Sequence, residues 1–125
     1  MKIGQYTTDK EWFSEKTLTR LAQRRVNPRW LLDVRIVNAV DEIREHFNKP
    51  VLLNHQMLQL RGFRTAEENY STEDSAEFSQ HMYGRAADIE LPGVVPQAVA
   101  DFAATLGLFT KVYSSWCHVD CRWLS

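Results

Sequence analysis

The chain has 125 residues, of which 44% are hydrophobic and 25% are charged. These values predict one soluble globular domain, residues 1–125, whose core needs no disulfide bonds. The 15 basic residues are balanced by 16 acidic ones, which argues against nucleic acid as a partner, and no apolar run is long enough for membrane insertion.

Helical patterns fill the first part of the chain. Residues 9–25 form a first helical stretch with regularly spaced apolar positions. Asn27 and Pro28 then indicate a helix start, because Asn is a good cap and Pro at the first helical position loses no needed N–H. The apolar residues that follow recur at spacings of three and four. They predict one helix of about twenty residues that ends near Asn48.

Strand patterns prevail in the second part. Residues 61–80 are polar and rich in turn formers, which predicts a long functional loop. A helix is predicted to begin at Pro96 and to end at Gly107. Because helices come first and strands follow with one inserted helix, we predict an α+β fold with a largely antiparallel sheet. The predicted strands are residues 51–53, 85–91, 109–113 and 116–121.

The segment SQHMYGRAADIE, residues 79–90, contains two candidate metal ligands. His81 precedes Gly84, which can adopt a positive φ and turn the chain back. Asp88 lies in the strand after that turn, so a loop ligand and a strand ligand can converge. Each residue alone also fits a structural role, His81 as a surface or core histidine and Asp88 as a carboxylate that satisfies a turn.

A third candidate ligand lies in the segment WCHVDCR, residues 116–122. On a strand, His118 shares one face with Asp120, while Cys117 and Cys121 point to the other face. The two cysteines would lie about 13 Å apart on an extended strand, too far for a disulfide. We therefore predict two reduced, buried thiols and a catalytic zinc site of His81, Asp88 and His118 with water as the fourth ligand.

The complete pattern is more specific than its parts. Ser-x-His-x-x-Gly-x-Ala-x-Asp, followed about thirty residues later by Trp-Cys-His-Val-Asp, resembles the zinc D-alanyl-D-alanine carboxypeptidase and endolysin family. This family includes vancomycin-resistance dipeptidases, and the Hedgehog signalling domain shares its fold. The resemblance runs from about Trp30 to the end of the sequence and is greatest for the phage or prophage branch. It implies a Hedgehog-like fold with a mostly antiparallel central sheet flanked by helices.

The resemblance also implies roles for individual residues. His81, Asp88 and His118 match the zinc ligands, and Ser79 matches a serine that forms hydrogen bonds in the site. The segment GFRTAEEN resembles the loop before the histidine motif. Its Arg64 matches the arginine that binds the terminal carboxylate of the substrate, a task that suits a guanidinium fork. Arg61 is a weaker candidate for the same task, and an ion pair of Arg64 with a nearby glutamate is the structural alternative.

The chain departs from the family pattern at the general base. Many members have an acidic residue three positions before the last zinc histidine, or a second histidine two positions before it. Ser115 and Trp116 occupy these positions here, and neither can act as that base. Asp120 and Glu90 are substitutes, and we prefer Asp120, although neighbours on one strand face lie about 6.5 Å apart and a bend is needed. The alternative role for Asp120 is to orient a ligand histidine.

The resemblance implies a zinc metallopeptidase that cleaves peptidoglycan stem peptides, as a D,D-carboxypeptidase or a cell-wall endopeptidase. Two alternatives remain open: a catalytically inactive, zinc-containing binding module, and a metal-free structural protein of a phage particle. The N-terminal residues lack the apolar segment of a secretion signal. We therefore expect synthesis in the cytoplasm and action on the cell wall after phage-type release.

Overall fold

The first helical stretch is divided into two short helices. The computed structural model describes residues 1–53, 60–72, 76 and 78–124. Helix α1 spans Asp9–Trp12 and helix α2 spans Glu15–Gln23. Between them the chain is extended at Phe13, and the Ser14 hydroxyl caps α2 by accepting a hydrogen bond from the Thr17 N–H. The helical stretch predicted over residues 9–25 is therefore present, but it consists of two helices.

The next predicted helix is also interrupted. A 3-10 helix spans Pro28–Leu31, and helix α3 spans Val34–Phe47. The Asp33 carboxylate caps α3 by accepting from the Arg35 N–H, and the Asp33 N–H donates to the Gly84 carbonyl at 2.8 Å. The prediction of one helix of about twenty residues is wrong because this cap starts a new helix after an extended residue.

The structure also differs from the predictions made for residues 61–80 and 51–53. Within the predicted loop, helix α4 spans Ala66–Ser71 and begins with a capping box. Residues 73–75 and 77 of that loop lie outside the described residues. The predicted strand at residues 51–53 is wrong, because it is represented by one isolated bridge between Leu52 and Glu90.

Three antiparallel strands form the sheet that carries the site. Strand β1 spans Ala86–Ile89, β2 spans Phe109–Val112 and β3 spans Cys117–Asp120. Helix α5, Pro96–Thr105, connects β1 to β2. The strand order is β1-β3-β2, so the last strand in the chain is central. This arrangement confirms the predicted α+β fold with an antiparallel sheet. No described helix is both long and apolar enough to span a membrane.

The two faces of the sheet have different roles. Side chains alternate along a strand, and one set joins the hydrophobic core together with α3 and α5. The other set carries Asp88 and His118, which lie directly opposite each other on β1 and β3. The core therefore fixes the strands from one side while the polar residues face the opposite side. Core members include Ile36, Val40, Ile43, Ile89, Val99, Ala103, Cys117 and Val119.

Candidate metal centre

Three side chains converge at one end of the polar face. One ligand atom from each of His81, Asp88 and His118 lies within 4.8 Å of the others. The His81 Nε2 atom is 3.3 Å from Asp88 Oδ1, and the His118 Nδ1 atom is 2.9 Å from that same oxygen. Among the described residues this is the one such cluster of His, Cys, Asp and Glu side chains. The structure thus brings together the three ligands predicted from the sequence.

In each of the three side chains, a second polar atom, directed away from the cluster, contacts another residue. The His81 Nδ1 atom is 2.7 Å from the Gly62 carbonyl oxygen. The His118 Nε2 atom is 2.7 Å from Asp120 Oδ2. The second oxygen of Asp88 lies 3.4 Å from Arg64 Nη2. Outer partners of this kind orient the ligands of metal sites and fix the tautomer of ligand histidines.

This set of donors fits a zinc ion. Zinc binds histidine nitrogen and carboxylate oxygen at about 2.0–2.2 Å in tetrahedral geometry, which places neighbouring ligand atoms roughly 3.3 Å apart. The 3.3 Å and 2.9 Å separations around Asp88 need only a small adjustment to reach that value. Three protein ligands with a fourth position free for water are typical of catalytic zinc rather than structural zinc.

The local backbone explains how His81 reaches the cluster. His81 lies in a 3-10 helix, Gln80–Tyr83, which is capped by the Ser79 hydroxyl through a hydrogen bond from the His81 N–H. Gly84 ends this helix with φ of 67°, and a Cβ at Gly84 would lie 1.9 Å from the Leu31 carbonyl oxygen. Only glycine therefore permits both the left-handed turn and the close approach. The turn predicted at Gly84 is confirmed.

Burial and hydrogen bonding set the charges of the cluster. Burial lowers the pKa of His81. Burial by itself would raise the pKa of Asp88. The hydrogen bonds of Asp88 with His118 and His81 have the larger effect, and they hold its pKa below its usual range. Burial opposes the charged form of His118, but its hydrogen bonds with Asp120 and Asp88 raise its pKa. A metal ion would have to displace the proton of His118, so metal binding should weaken at low pH.

The two candidate general bases have partners that limit them. Asp120 is fully buried and binds His118 Nε2, whereas the other ring nitrogen of His118 faces Asp88. Asp120 also accepts hydrogen bonds from Arg122. Glu90 forms an ion pair with Arg61. These contacts favour the orienting role of Asp120, the alternative that the sequence left open, and its role as general base stays a prediction.

Arg64, the predicted substrate-binding residue, is buried beside the cluster. Its side chain lines the cleft above the metal ligands, and only 8% of the residue is exposed. Besides Asp88, it binds the Leu60 carbonyl through Nε at 2.6 Å and Asn69 Oδ1 through Nη1 at 3.5 Å. The contacts indicate that Arg64 positions Asp88, and its predicted contact with substrate stays a prediction. Arg61 pairs with Glu90 instead.

A cleft of about 490 Å³ opens over the cluster. One wall is a stack in which Trp116 lies 4.7 Å from the Tyr113 ring, at an angle of 12°. The Arg61 guanidinium lies 5.1 Å from the Trp116 ring on one side, and the Lys111 ammonium lies 5.2 Å from the Tyr113 ring. The sequence does not predict this wall, because the wall depends on the pairing of β2 with β3. The presence of Lys111, Tyr113 and Trp116 in or beside predicted strands was the one sequence signal that pointed to this wall.

Both cysteines lie away from the cluster. Cys117 and Cys121 are buried free thiols, as the strand alternation predicts. Burial raises the pKa of Cys117 to about 12, which leaves it an inert thiol near neutral pH. Neither belongs to the metal cluster.

Comparison with known proteins agrees with the geometry of the site. A family model described as Peptidase M15 matches residues 13–120. This range includes the three clustered residues and all of their outer partners. No curated protein and no solved structure matches the chain significantly.

Proposed function

Because the chain belongs to the peptidase M15 family, a metallopeptidase family, we propose that it is a zinc-dependent peptidase that hydrolyses peptidoglycan stem peptides. The cluster of His81, Asp88 and His118 is the observation that carries this proposal. Its donor set suits zinc, and it lies in the floor of an open cleft. Residues 1–125 would form a single zinc peptidase domain.

The protein contributes position and orientation to this chemistry. A bound zinc ion supplies a water of pKa near 7 and polarises a carbonyl group. His81, Asp88 and His118 would hold the ion. Gly62 and Asp120 bind the far nitrogens of the two histidines, so both rings are fixed before the ion arrives.

Two unpaired groups in the cleft suit a peptide substrate. Trp116 Nε1 and Gln80 Oε1 are buried and have no hydrogen-bond partner among the described residues, and both residues line the cleft. One is a donor and the other an acceptor, which matches the C=O and N–H of a peptide bond. An unpaired buried polar group is costly, so a substrate that pairs both groups gains affinity.

The finer parts of the proposal rest on the family resemblance. The bond that is cut would lie at or next to a D-residue, either at the end of a stem peptide or in a cross-link. The phage or prophage branch, and action on the wall after phage-type release, belong to the same proposal.

A second candidate is a zinc-containing binding module without turnover. It is favoured by one observation: Asp88 is the one carboxylate among the described residues that line the cleft, so these residues supply no second acid as general base. Such a module would bind zinc and peptidoglycan but release no new termini.

The test combines metal content with hydrolysis. We expect about one zinc per chain in the wild-type protein, as a three-ligand site predicts, and release of new amino termini from purified peptidoglycan. His118→Ala should lose both. His46→Ala is the matched control, because His46 stacks on Phe102 at 3.8 Å away from the cluster and should keep both. A wild-type protein that takes up no zinc would overturn the proposal, and zinc without hydrolysis would favour the binding module.

A further inference from the structure

Three of the described residues that line the cleft are lysine or arginine, and two of them already have acidic partners. Arg64 Nη2 lies 3.4 Å from Asp88, and Arg122 Nη2 lies 2.8 Å from Asp120. Lys111 has no acidic partner among the described residues, and its ammonium contacts the face of the Tyr113 ring at 5.2 Å. A ring face attracts a cation but does not neutralise it. No described carboxylate therefore neutralises the charge of Lys111, which suits it to bind an anionic ligand.

The strand register places Lys111 next to the metal cluster. Lys111 on β2 lies directly opposite His118 on the central strand β3. Residues directly opposite each other on antiparallel strands project from the same face, with Cβ atoms about 4.5–5.5 Å apart. Lys111 therefore stands on the polar face, one strand beyond His118. The same register places Asp88 on the other side of His118, so the cation and the carboxylate ligand flank the central histidine.

The balance of charge in the cleft favours an anionic ligand. Among the described residues, Arg64 and Arg122 are paired with Asp88 and Asp120, which leaves the positive charge of Lys111 unbalanced in the lining. A divalent ion in the cluster would add to this positive charge. A cleft lined by one sign of charge attracts ligands of the opposite sign.

We propose that Lys111 binds a carboxylate of the peptide substrate and so selects acidic peptides over neutral ones. This inference rests on the proposed function, because it names the substrate feature recognised at the same site. The carboxylate can come from two sources: the free C-terminus of a stem peptide, or an acidic side chain within the stem. The role differs from that of Arg64, whose guanidinium already contacts the carboxylate of Asp88.

Binding of small probes tests the inference separately from hydrolysis. The probes are N-acetyl-D-alanine with a free carboxylate, its neutral amide, and N-acetyl-D-glutamic acid α-amide with only a side-chain carboxylate. The dissociation constant of each is measured by nuclear magnetic resonance titration of the zinc-loaded protein. The variants are Lys111→Gln, which removes the charge, and Lys111→Arg, which keeps it. Lys49→Gln is the control for the loss of an exposed lysine away from the cleft.

We expect the wild-type protein to bind at least one carboxylate probe about tenfold more tightly than the neutral amide, as one charged hydrogen bond allows. Lys111→Gln should abolish this preference, whereas Lys111→Arg and Lys49→Gln should keep most of it. The carboxylate probe that is preferred identifies the source. A wild-type protein without preference, or the same preference in Lys111→Gln, overturns the inference.

The two proposals fail in different ways. If zinc binds and the preference depends on Lys111 but no peptidoglycan is hydrolysed, the peptidase proposal fails and the role of Lys111 stands. If hydrolysis occurs and Lys111→Gln binds every probe as the wild type does, the peptidase proposal stands and the role of Lys111 fails. The zinc content of Lys111→Gln should equal that of the wild type, which excludes damage to the cluster.

Discussion

The imidazole of His118 lies between two carboxylates, with Asp120 Oδ2 at 2.7 Å from Nε2 and Asp88 Oδ1 at 2.9 Å from Nδ1. The two rings of the cluster differ in this respect, because the far nitrogen of His81 meets a neutral backbone carbonyl instead. A carboxylate partner increases the basicity of a ligand histidine. Asp120 is therefore placed to strengthen metal binding by His118.

This contact predicts the effect of Asp120→Asn. If Asp120 orients His118, the variant should bind zinc about tenfold or more weakly, and excess zinc should restore activity. If Asp120 is the general base, zinc content should be unchanged and kcat should fall even at saturating zinc. Zinc titration with parallel measurement of kcat separates the two outcomes. Asp101→Asn is the control, because Asp101 is an exposed carboxylate on α5 and its loss should change neither quantity.

Arg64→Lys keeps the positive charge but removes the planar fork. Since Arg64 contacts Asp88 within the buried part of the site, we expect weaker zinc binding and an unchanged KM once zinc is saturating. A raised KM with unchanged zinc affinity would instead support the contact with substrate that the sequence suggested. Zinc titration measures the zinc affinity, and steady-state kinetics on one peptide measures KM.

Gly62→Ala should damage the cluster through the backbone. A Cβ at Gly62 would lie 2.4 Å from the Trp12 carbonyl oxygen, so the loop must move and the Gly62 carbonyl must leave His81. We expect about tenfold weaker zinc binding, as for loss of other outer partners.

Gly93→Ala is the control for Gly62→Ala. An alanine with the positive φ of Gly93 costs about 1 kcal/mol of stability, but its Cβ would meet no atom of the described residues within 4 Å. It should lower the melting temperature without changing zinc affinity. Equal zinc affinity in Gly62→Ala and wild type would contradict the role of the Gly62 carbonyl.

Trp116→Phe should separate stability from activity. Phenylalanine can keep the stack on Tyr113 but lacks the Nε1–H, which has no partner among the described residues. Removal of an unpaired buried donor should leave the melting temperature unchanged or raise it. If that donor binds the substrate, kcat/KM should fall about fivefold, the effect of one hydrogen bond of about 1 kcal/mol. An unchanged kcat/KM would exclude this role.

Asp33→Ala should give a pH-dependent loss of stability. The hydrogen bond from Arg35 lowers the pKa of Asp33 in the folded protein. A carboxyl group with a lowered folded pKa stabilises the fold above its unfolded pKa of about 3.9, and this contribution is lost as pH falls through the folded pKa.

At pH 7, loss of this helix cap should reduce the free energy of unfolding by about 1 kcal/mol. The difference from wild type should shrink below pH 4. Urea unfolding of the variant and the wild type at pH 7 and below pH 4 measures this difference in free energy. Asp101→Ala, which removes an exposed carboxylate from α5, should change stability by less than about 0.5 kcal/mol at either pH.

The clustering of His81, Asp88 and His118 could be predicted from the sequence because two of them lie in one short motif and the third on a strand with clear alternation. Prediction from the sequence failed at Asp33, where the apolar spacing continues through a break in the helix although an extended residue precedes the cap. Periodicity indicates which residues face the core. Apolar residues pack against the core on both sides of the break, so the apolar pattern does not reveal the break.

Lys111 and the aromatic wall depend on the register between β2 and β3. That register is set by tertiary packing and not by local pattern. For the same reason, the sequence does not reveal the structural partner of Arg64. Its contact with Asp88 spans 24 residues, and a sequence motif does not show it.

The order β1-β3-β2 has a consequence for how the protein is made. The central strand is the last one synthesised, and Asp88 must wait for His118, thirty residues later. Until that strand inserts between its neighbours, β1 and β2 have no shared partner and the three metal-binding atoms cannot meet. The complete metal centre therefore forms only after residue 118 has been synthesised and β3 has taken its place between β1 and β2.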